Sequence, residues 1–385
     1  MPAAPRPEVV IVHRHLTHYR VPLFEALRAK LQSDGIALRL LHGTPRRAEA
    51  RKRDTGHLDW AEALPLRYWL GERVCWQPFG RQAGGADLVV VTQENALVYN
   101  YWALTGGRHA FPRIAFWGHG ANLQSRAPGG LRERFKRYWI NHVDWWFAYT
   151  GMSVELVRRA GFPPGRITDL ENAIDTQALD AACRALGGDE LEAARREFGL
   201  QGARVGLYLG SLYEEKRLPF LIETADRLAQ RLPDFRLLVV GDGPQRPLVE
   251  QAARSRPWLR YLGARQGRDK ALALRLADVV LNPGLVGLGI LDAFTAGLPM
   301  LTTDCGLHSP EIAYLRQGVN GVMTADSIDA YAAAALALLE DPAARGLLGE
   351  QARAAGAHYT IENMAQRFRS GIHAALLSAP RGAGR

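Results

Sequence analysis

The chain has 385 residues, enough for two separate cores rather than one. A hydrophobic fraction of 47% with 23% charged residues excludes a disordered or low-complexity protein. Lys and Arg number 48 against 39 Asp and Glu, a formal net charge of +9 that invites an anionic partner.

No run approaches the roughly 18 uncharged apolar residues of a membrane-crossing helix. Met1 to Pro7 has no apolar signal core, so the expected location is the cytoplasm. The three cysteines, Cys75, Cys183 and Cys305, are too few and too scattered for a disulfide framework or a zinc site. Cys305 reads as a small buried residue. There is no internal repeat.

The first half reads as a nucleotide-fold sheet. Glu8 to His13, Asp87 to Thr92, Arg113 to Trp117 and Asp144 to Thr150 are apolar enough for buried strands, and Val21, Phe24, Leu27 and Leu31 follow helical spacing after the first. The loop Arg14-His-Leu-Thr-His-Tyr-Arg20 contains no glycine, which argues against a Rossmann dinucleotide site. Arg14, His18 and Arg20 on that loop are candidates to meet an acidic acceptor, with ordinary surface arginines as the competing reading.

Further along, Leu131 to Ile140 concentrates Arg132, Arg134, Lys136 and Arg137 around Trp139, just before Trp145-Trp-Phe147. Cations interleaved with aromatics suit an anionic bilayer, where each adds about 1 kcal/mol. The competing reading is a helix with one solvated basic face. No helix-turn-helix, zinc-finger or RNP signature is present, so nucleic acid is not an expected partner. Residues near 176 to 200, with Gly187-Gly188 and a charged helix, read as the hinge leading into the second domain.

The second half is more informative. Val205 to Leu209 is a strand closing on Gly210 and Ser211, after which Lys216 opens a helix whose buried face is Leu218, Leu221, Ile222, Ala225, Leu228 and Leu232. Phe235 to Val240 is a second strand, closing on Gly241-Asp242-Gly243-Pro244, most simply a tight turn. Asp278 to Leu281 is a third. It feeds Asn282-Pro-Gly-Leu-Val-Gly-Leu-Gly-Ile-Leu-Asp-Ala-Phe-Thr-Ala-Gly-Leu-Pro299, a glycine-bearing turn that runs into a helix with an acid inside it. Met300 to Thr303 is a fourth strand and leads to Asp304-Cys-Gly-Leu-His-Ser-Pro-Glu311. In a doubly wound parallel sheet such turns share one edge, where ligands bind. The backbone N–H groups of Val286, Gly287, Leu288 and Gly289 are expected to project from the helix start, where donors lack partners and the dipole favours an anion.

With these motifs in order, residues 200 to 325 resemble the retaining glycosyltransferases of family 4, which have the GT-B fold. Asn172-Ala-Ile-Asp175 is similar to the segment that ends the family's first domain. The resemblance implies an α/β chain of two Rossmann-like doubly wound domains facing a cleft. Residues 1–178 are then an acceptor-binding domain, with the helix 361–385 packing back on it, and 179–360 bind a nucleotide-sugar donor. Lys216 matches the lysine that holds the diphosphate. Asp292 matches the second of two glutamates, which reaches the ribose, and the turn Val286 to Gly289 matches the backbone that cups the phosphates. Glu311 matches a glutamate behind the second glycine turn, and His119 in Trp117-Gly-His-Gly120 looks like the histidine that approaches the donor sugar. Gly210, Ser211, Gly241, Asp242 and Gly243 fall on the donor-binding edge. The chain departs from the pattern at three places: Ser211 replaces a usual arginine, Gly284 falls where the first glutamate is expected, and Asp292 is one methylene short.

Sugar transfer leaves two negative phosphates, and a fixed ammonium with a row of preorganised amides stabilises that charge; one such donor is typically worth about 3 kcal/mol. No Asp-x-Asp pair and no His-Glu-x-x-His spacing is present, so transfer is expected without a metal or other cofactor. The expected partners are a nucleotide-sugar donor, a lipid-linked or polysaccharide acceptor and an anionic membrane, with the chain peripheral on the inner face. A GT-B-fold sugar-nucleotide epimerase and an inactive nucleotide-sugar-binding protein are the alternatives.

Overall fold

The structure, a computed structural model, describes residues 6–47, 55–105, 111–120, 135 and 138–380. The chain divides into two compact units. The first is Met1–Ile174 with Ile361–Arg385, the second Asp175–Thr360. Helices Gln177–Arg184 and Gly188–Phe198 both pack on helix Gly267–Leu276, so they belong to the second unit.

The first unit has strands β1 (Glu8–His15), β2 (Ala37–Gly43), β3 (Glu62–Ala63), β4 (Arg67–Trp69), β5 (Val74–Trp76), β6 (Leu88–Thr92), β7 (Ile114–Gly118), β8 (Trp145–Ala148) and β9 (Ile167–Asp169). Seven form one sheet in the order β3-β2-β1-β6-β7-β8-β9, with every pair parallel; β4 and β5 form a separate antiparallel hairpin. All residues of β6, β7 and β8 are buried, as continuous apolar runs with helices on both faces require.

One face is closed by the C-terminal helix Ile361–Leu377, which lies along helix Val21–Ser33. Its Ile361, Met364, Ala365, Phe368, Ile372 and Ala375 repeat at helical spacing and are buried. Phe368 stacks on Phe147 at 4.4 Å and on Trp117 at 5.3 Å. Asp34 anchors the same helix by accepting hydrogen bonds from Arg369 (2.5 Å) and His373 (2.7 Å).

The second unit has β10 (Arg204–Leu209), β11 (Phe235–Val240), β12 (Leu259–Gly263), β13 (Val279–Leu281), β14 (Met300–Thr303) and β15 (Gly321–Thr324), all parallel, in the order β12-β11-β10-β13-β14-β15. Strand order reverses between β10 and β13 here and between β1 and β6 in the first unit. At such a switch point the flanking loops leave in opposite directions and open a crevice at the carboxyl edge.

All of the nine tryptophans except Trp258 lie in the first unit, so its unfolding can be followed by indole fluorescence. Truncation of the fully buried Phe368 to Ala should cost that transition about 3–5 kcal/mol in urea titrations. A loss below about 1 kcal/mol would mean that the helix contributes little to the core.

Candidate functional site

The switch point of the second unit lies between the loop after β10, with Gly210, Ser211 and Lys216, and the loop after β13, with Asn282 to Gly289. The two loops make direct contact. Leu285 N–H donates to Glu215 O (2.8 Å), and Leu285 O accepts from Lys216 Nζ (2.5 Å) and Asn282 Nδ2 (3.3 Å). Gly284 is pressed against this junction: a Cβ there would lie 2.3 Å from Glu215 O and 2.7 Å from Lys216 Cα. Position 284, where a glutamate is expected, therefore has no room for a side chain unless the backbone moves.

Lys216 does not open the following helix. It ends a 3-10 turn, Glu214–Lys216; Arg217 takes a left-handed φ of 59°, and the helix begins at Leu218. Only 9% of Lys216 is exposed, and burial lowers its ammonium pKa to about 8. A solvated helix-start charge is thereby ruled out. Arg217 does not replace the arginine missing at Ser211, because it is spent on Asp326, Thr303 Oγ1 and Pro283 O. Ser211 itself is exposed.

Four amides were expected at the cradle; three are available. Val286 N–H donates to His308 Nδ1 (3.1 Å), while Val286 O accepts from Ser309 N (2.9 Å). His308 Nε2 lies 2.7 Å from Thr303 O. A peptide N–H only donates and a carbonyl only accepts, so in these contacts Nδ1 is the acceptor and Nε2 the donor. Gly287, Leu288 and Gly289 remain, and among the described residues their N–H groups have no acceptor. They are partly or fully exposed at the start of helix Gly289–Ala296, as an anion site requires.

Around this cradle, Gly241 permits close approach: a Cβ there would lie 1.8 Å from Gly210 O, at a φ of 149° that glycine favours. Asp242 is exposed, with one carboxylate oxygen on Gly243 N–H (2.8 Å). Glu311 is 3% exposed in the 3-10 helix Pro310–Tyr314. Asp292 is 9% exposed and accepts from Lys270 Nζ at 2.8 Å. Lys270 was not legible in the sequence. Cys305 is half-buried rather than buried, with Sγ 3.7 Å from His308 Nε2. Burial pushes its thiol up, but the contacts from His308 and Leu307 and the charge of Arg217 outweigh that and leave it below the ordinary value.

In the first unit, the end of β1, which takes in Arg14 and His15, and the loop after β6 meet at the other switch point. Arg14 is buried there, with Nε donating to Glu94 (2.9 Å), and His18 is exposed. Arg20 is 2% exposed. Its guanidinium lies 5.1 to 5.5 Å from the rings of Tyr19, Trp117 and Tyr149 and donates to Met364 Sδ at 3.9 Å. An aromatic cage thus holds the charge that was expected to meet an acceptor. His119 is half-buried at the end of β7, its ring 4.4 Å from Tyr149. Arg132, Arg134, Lys136 and Arg137 lie outside the described residues. Trp139 packs on Tyr101 at 5.2 Å, and nearby Phe135 and Tyr138 are exposed. No group of His, Cys, Asp or Glu among the described residues is arranged to hold a metal ion.

The buried ammonium predicts a pH dependence. Its folded, ligand-free pKa is depressed, so it is charged below about pH 8 and loses its proton as pH rises through that value. Affinity for a diphosphate anion, measured calorimetrically from pH 7 upward, should fall through this range by at most about tenfold per unit. Lys216→Met should bind more weakly and lose the dependence; a flat profile for the unaltered chain would remove Lys216 from the anion site.

Comparison with known proteins agrees with this geometry. The sequence profile of Glycosyl transferases group 1 matches residues 203–341. The phosphatidyl-myo-inositol mannosyltransferase of Mycolicibacterium smegmatis is 34% identical over 145 residues, 36% of this chain and 36% of that protein. The alpha-D-kanosaminyltransferase of Streptomyces kanamyceticus is 28% identical over 170 residues, 43% and 41% of the two chains. These matches span less than half the length of either relative. Over 95% of this chain and 99% of the other, the fold superposes on Anabaena HepE solved with UDP, at a TM-score of 0.69 and 17% identity. It also matches WaaG, a glycosyltransferase involved in lipopolysaccharide biosynthesis, at a TM-score of 0.61 and 17% identity over 94% of this chain and 98% of that one. Residues 203–341 thus match the group 1 glycosyltransferases, and the chain has the GT-B fold of the solved glycosyltransferases it superposes on.

Proposed function

We propose that the chain transfers a sugar from a nucleoside-diphosphate sugar to a lipid-linked or polysaccharide precursor, with retention of configuration and without a metal ion. The observation that carries this reading is the pairing of three acceptor-free amides, Gly287 to Gly289, with the buried ammonium of Lys216 one peptide away at Leu285 O. As the glycosidic bond to phosphate breaks, negative charge grows on the diphosphate. Amides fixed at a helix start and an ammonium already stripped of water stabilise that charge without reorganising at the moment of reaction. With retention, a β-phosphate oxygen takes the acceptor's proton, so no separate protein base is required.

A UDP-type donor is supported by HepE, which has been solved with UDP-glucose as well as with UDP. A lipid-borne acceptor is supported by the name of the mannosyltransferase relative and by exposed Trp102, Phe135 and Tyr138, the last two lying in or next to the basic run 132–137 in sequence. Such a surface suits peripheral attachment to an anionic leaflet on the cytoplasmic side. Among the described residues no helix is long and apolar enough to cross a membrane.

Thermal stabilisation across a panel of nucleotide-sugars identifies the donor, since a ligand at about a hundredfold its Kd adds about 2.7 kcal/mol. With that donor, release of nucleoside diphosphate should require a glycosyl acceptor, and Lys216→Ala should cut turnover at least about tenfold. Rearrangement of the sugar without an acceptor would instead indicate an epimerase, and binding without turnover an inert binding protein.

A further inference from the structure

His308 joins two of the loops at the donor edge. It follows β14, is 8% exposed, and its ring nitrogens face different segments: Nδ1 accepts from Val286 N–H at 3.1 Å, and Nε2 lies 2.7 Å from Thr303 O. The next residue, Ser309, donates its N–H to Val286 O at 2.9 Å. Residues 308 and 309 together therefore hold both polar groups of the Val286 backbone.

The C=O and N–H of one trans peptide plane point in opposite directions. Leu285 O and Val286 N–H belong to the same plane, so a ring that receives the N–H on one side aims the carbonyl to the other, where Lys216 Nζ lies 2.5 Å away. One plane further on, Ser309 holds Val286 O, and Gly287 N–H, the first of the acceptor-free amides, is turned the opposite way. A chain of hydrogen bonds thus runs from the ammonium through a peptide and an imidazole to the end of β14, each polarising the next. Val286 is fully buried, and a buried N–H without an acceptor is costly. Loss of Nδ1 therefore favours rotation of the plane, which takes Leu285 O off the ammonium. The other side chain on that carbonyl, Asn282, makes the longer contact at 3.3 Å.

We propose that His308 is a positioning residue of the donor site: by holding the Leu285–Val286 peptide, it sets where the Lys216 ammonium stands relative to the Gly287–Gly289 amides. It acts on the ligand only through that peptide and that ammonium. This inference rests on the reading that a diphosphate sits on those amides.

The test exploits two amide side chains. Asn carries its oxygen at the δ position, where His carries Nδ1, whereas Gln carries its amide at the ε position and leaves Val286 N–H unanswered. The probe is whichever of UDP and GDP binds the unaltered full chain, measured by calorimetry. His308→Gln should weaken binding about tenfold, the worth of a hydrogen bond to a charged group, and His308→Asn should recover most of that loss. In a Lys216→Met chain, His308→Gln should cost at most about twofold more, because the ammonium through which the ring acts is gone. Equal losses with Gln and Asn, undiminished binding with Gln, or a tenfold loss that persists beside Lys216→Met would each overturn the inference and leave the donor site standing. If His308→Asn lacks a cooperative melt, the double-substitution comparison decides; if His308→Gln lacks one, His308→Leu takes its place there. An unaltered chain that binds neither UDP nor GDP would remove the donor-site reading, and this inference with it.

Discussion

The site depends on one residue, Leu285, whose N–H and C=O are both fastened to the Glu214–Lys216 turn. Two loops that leave a switch point in opposite directions are thereby brought together, with the glycine at 284 in close contact with the opposing backbone. A side chain at 284 would force the loops apart and carry Lys216 away from the amides. The missing glutamate and the presence of Lys216 are thus two sides of one packing constraint. A carboxylate at that position is incompatible with this loop pairing.

Charge is managed differently in the two units. At the first unit's switch point, Arg14 is neutralised by Glu94 and Arg20 is wrapped in aromatic rings and a thioether. Next to them His13, half-buried against Phe24 and Trp117, has a pKa lowered to about 3 by desolvation and stays neutral. These cations serve structure as much as recognition. In the second unit, Lys216 meets the Leu285 carbonyl and the Tyr213 ring, and among the described residues the Gly287–Gly289 amides have no acceptor. Unsatisfied donors concentrate where an anion is to be bound.

Much of this was legible in the sequence because it lies in strands buried on both faces, where apolar runs such as Leu88 to Thr92 and Phe235 to Val240 have one reading. Edge strands escaped for the converse reason. The burial of Leu259–Gly263 is mostly partial and the strand includes Arg260 and Tyr261, so its pattern is close to that of a loop. Lys216 and the glycine turn follow the carboxyl ends of β10 and β13, and Asp292 the start of the next helix, as the motif order indicates. The motifs did not show that Val286 N–H is consumed by His308, because that bond joins residues 22 apart and depends on the ring's tautomer. Lys270 was hidden among ordinary helix-surface charges; nothing in Arg268-Asp-Lys270 marks the lysine whose ammonium reaches a different helix. Arg20 looked like a loop cation because its cage is assembled from residues as distant as Tyr149 and Met364.

The burial of Lys216 also indicates where binding energy is placed. An ammonium deprived of water and offered a single carbonyl is less comfortable charged than in solution, which is why its pKa is depressed. That discomfort is relieved most by the ligand with the largest negative charge close by. A diphosphate whose glycosidic bond is breaking is more negative than the intact donor, so relief is greater at the transition state than in the ground state. Interactions of that kind accelerate a reaction, whereas those of equal strength in both states only tighten binding. Under the proposed function, the same fold that removes Lys216 from water directs its charge toward the leaving group.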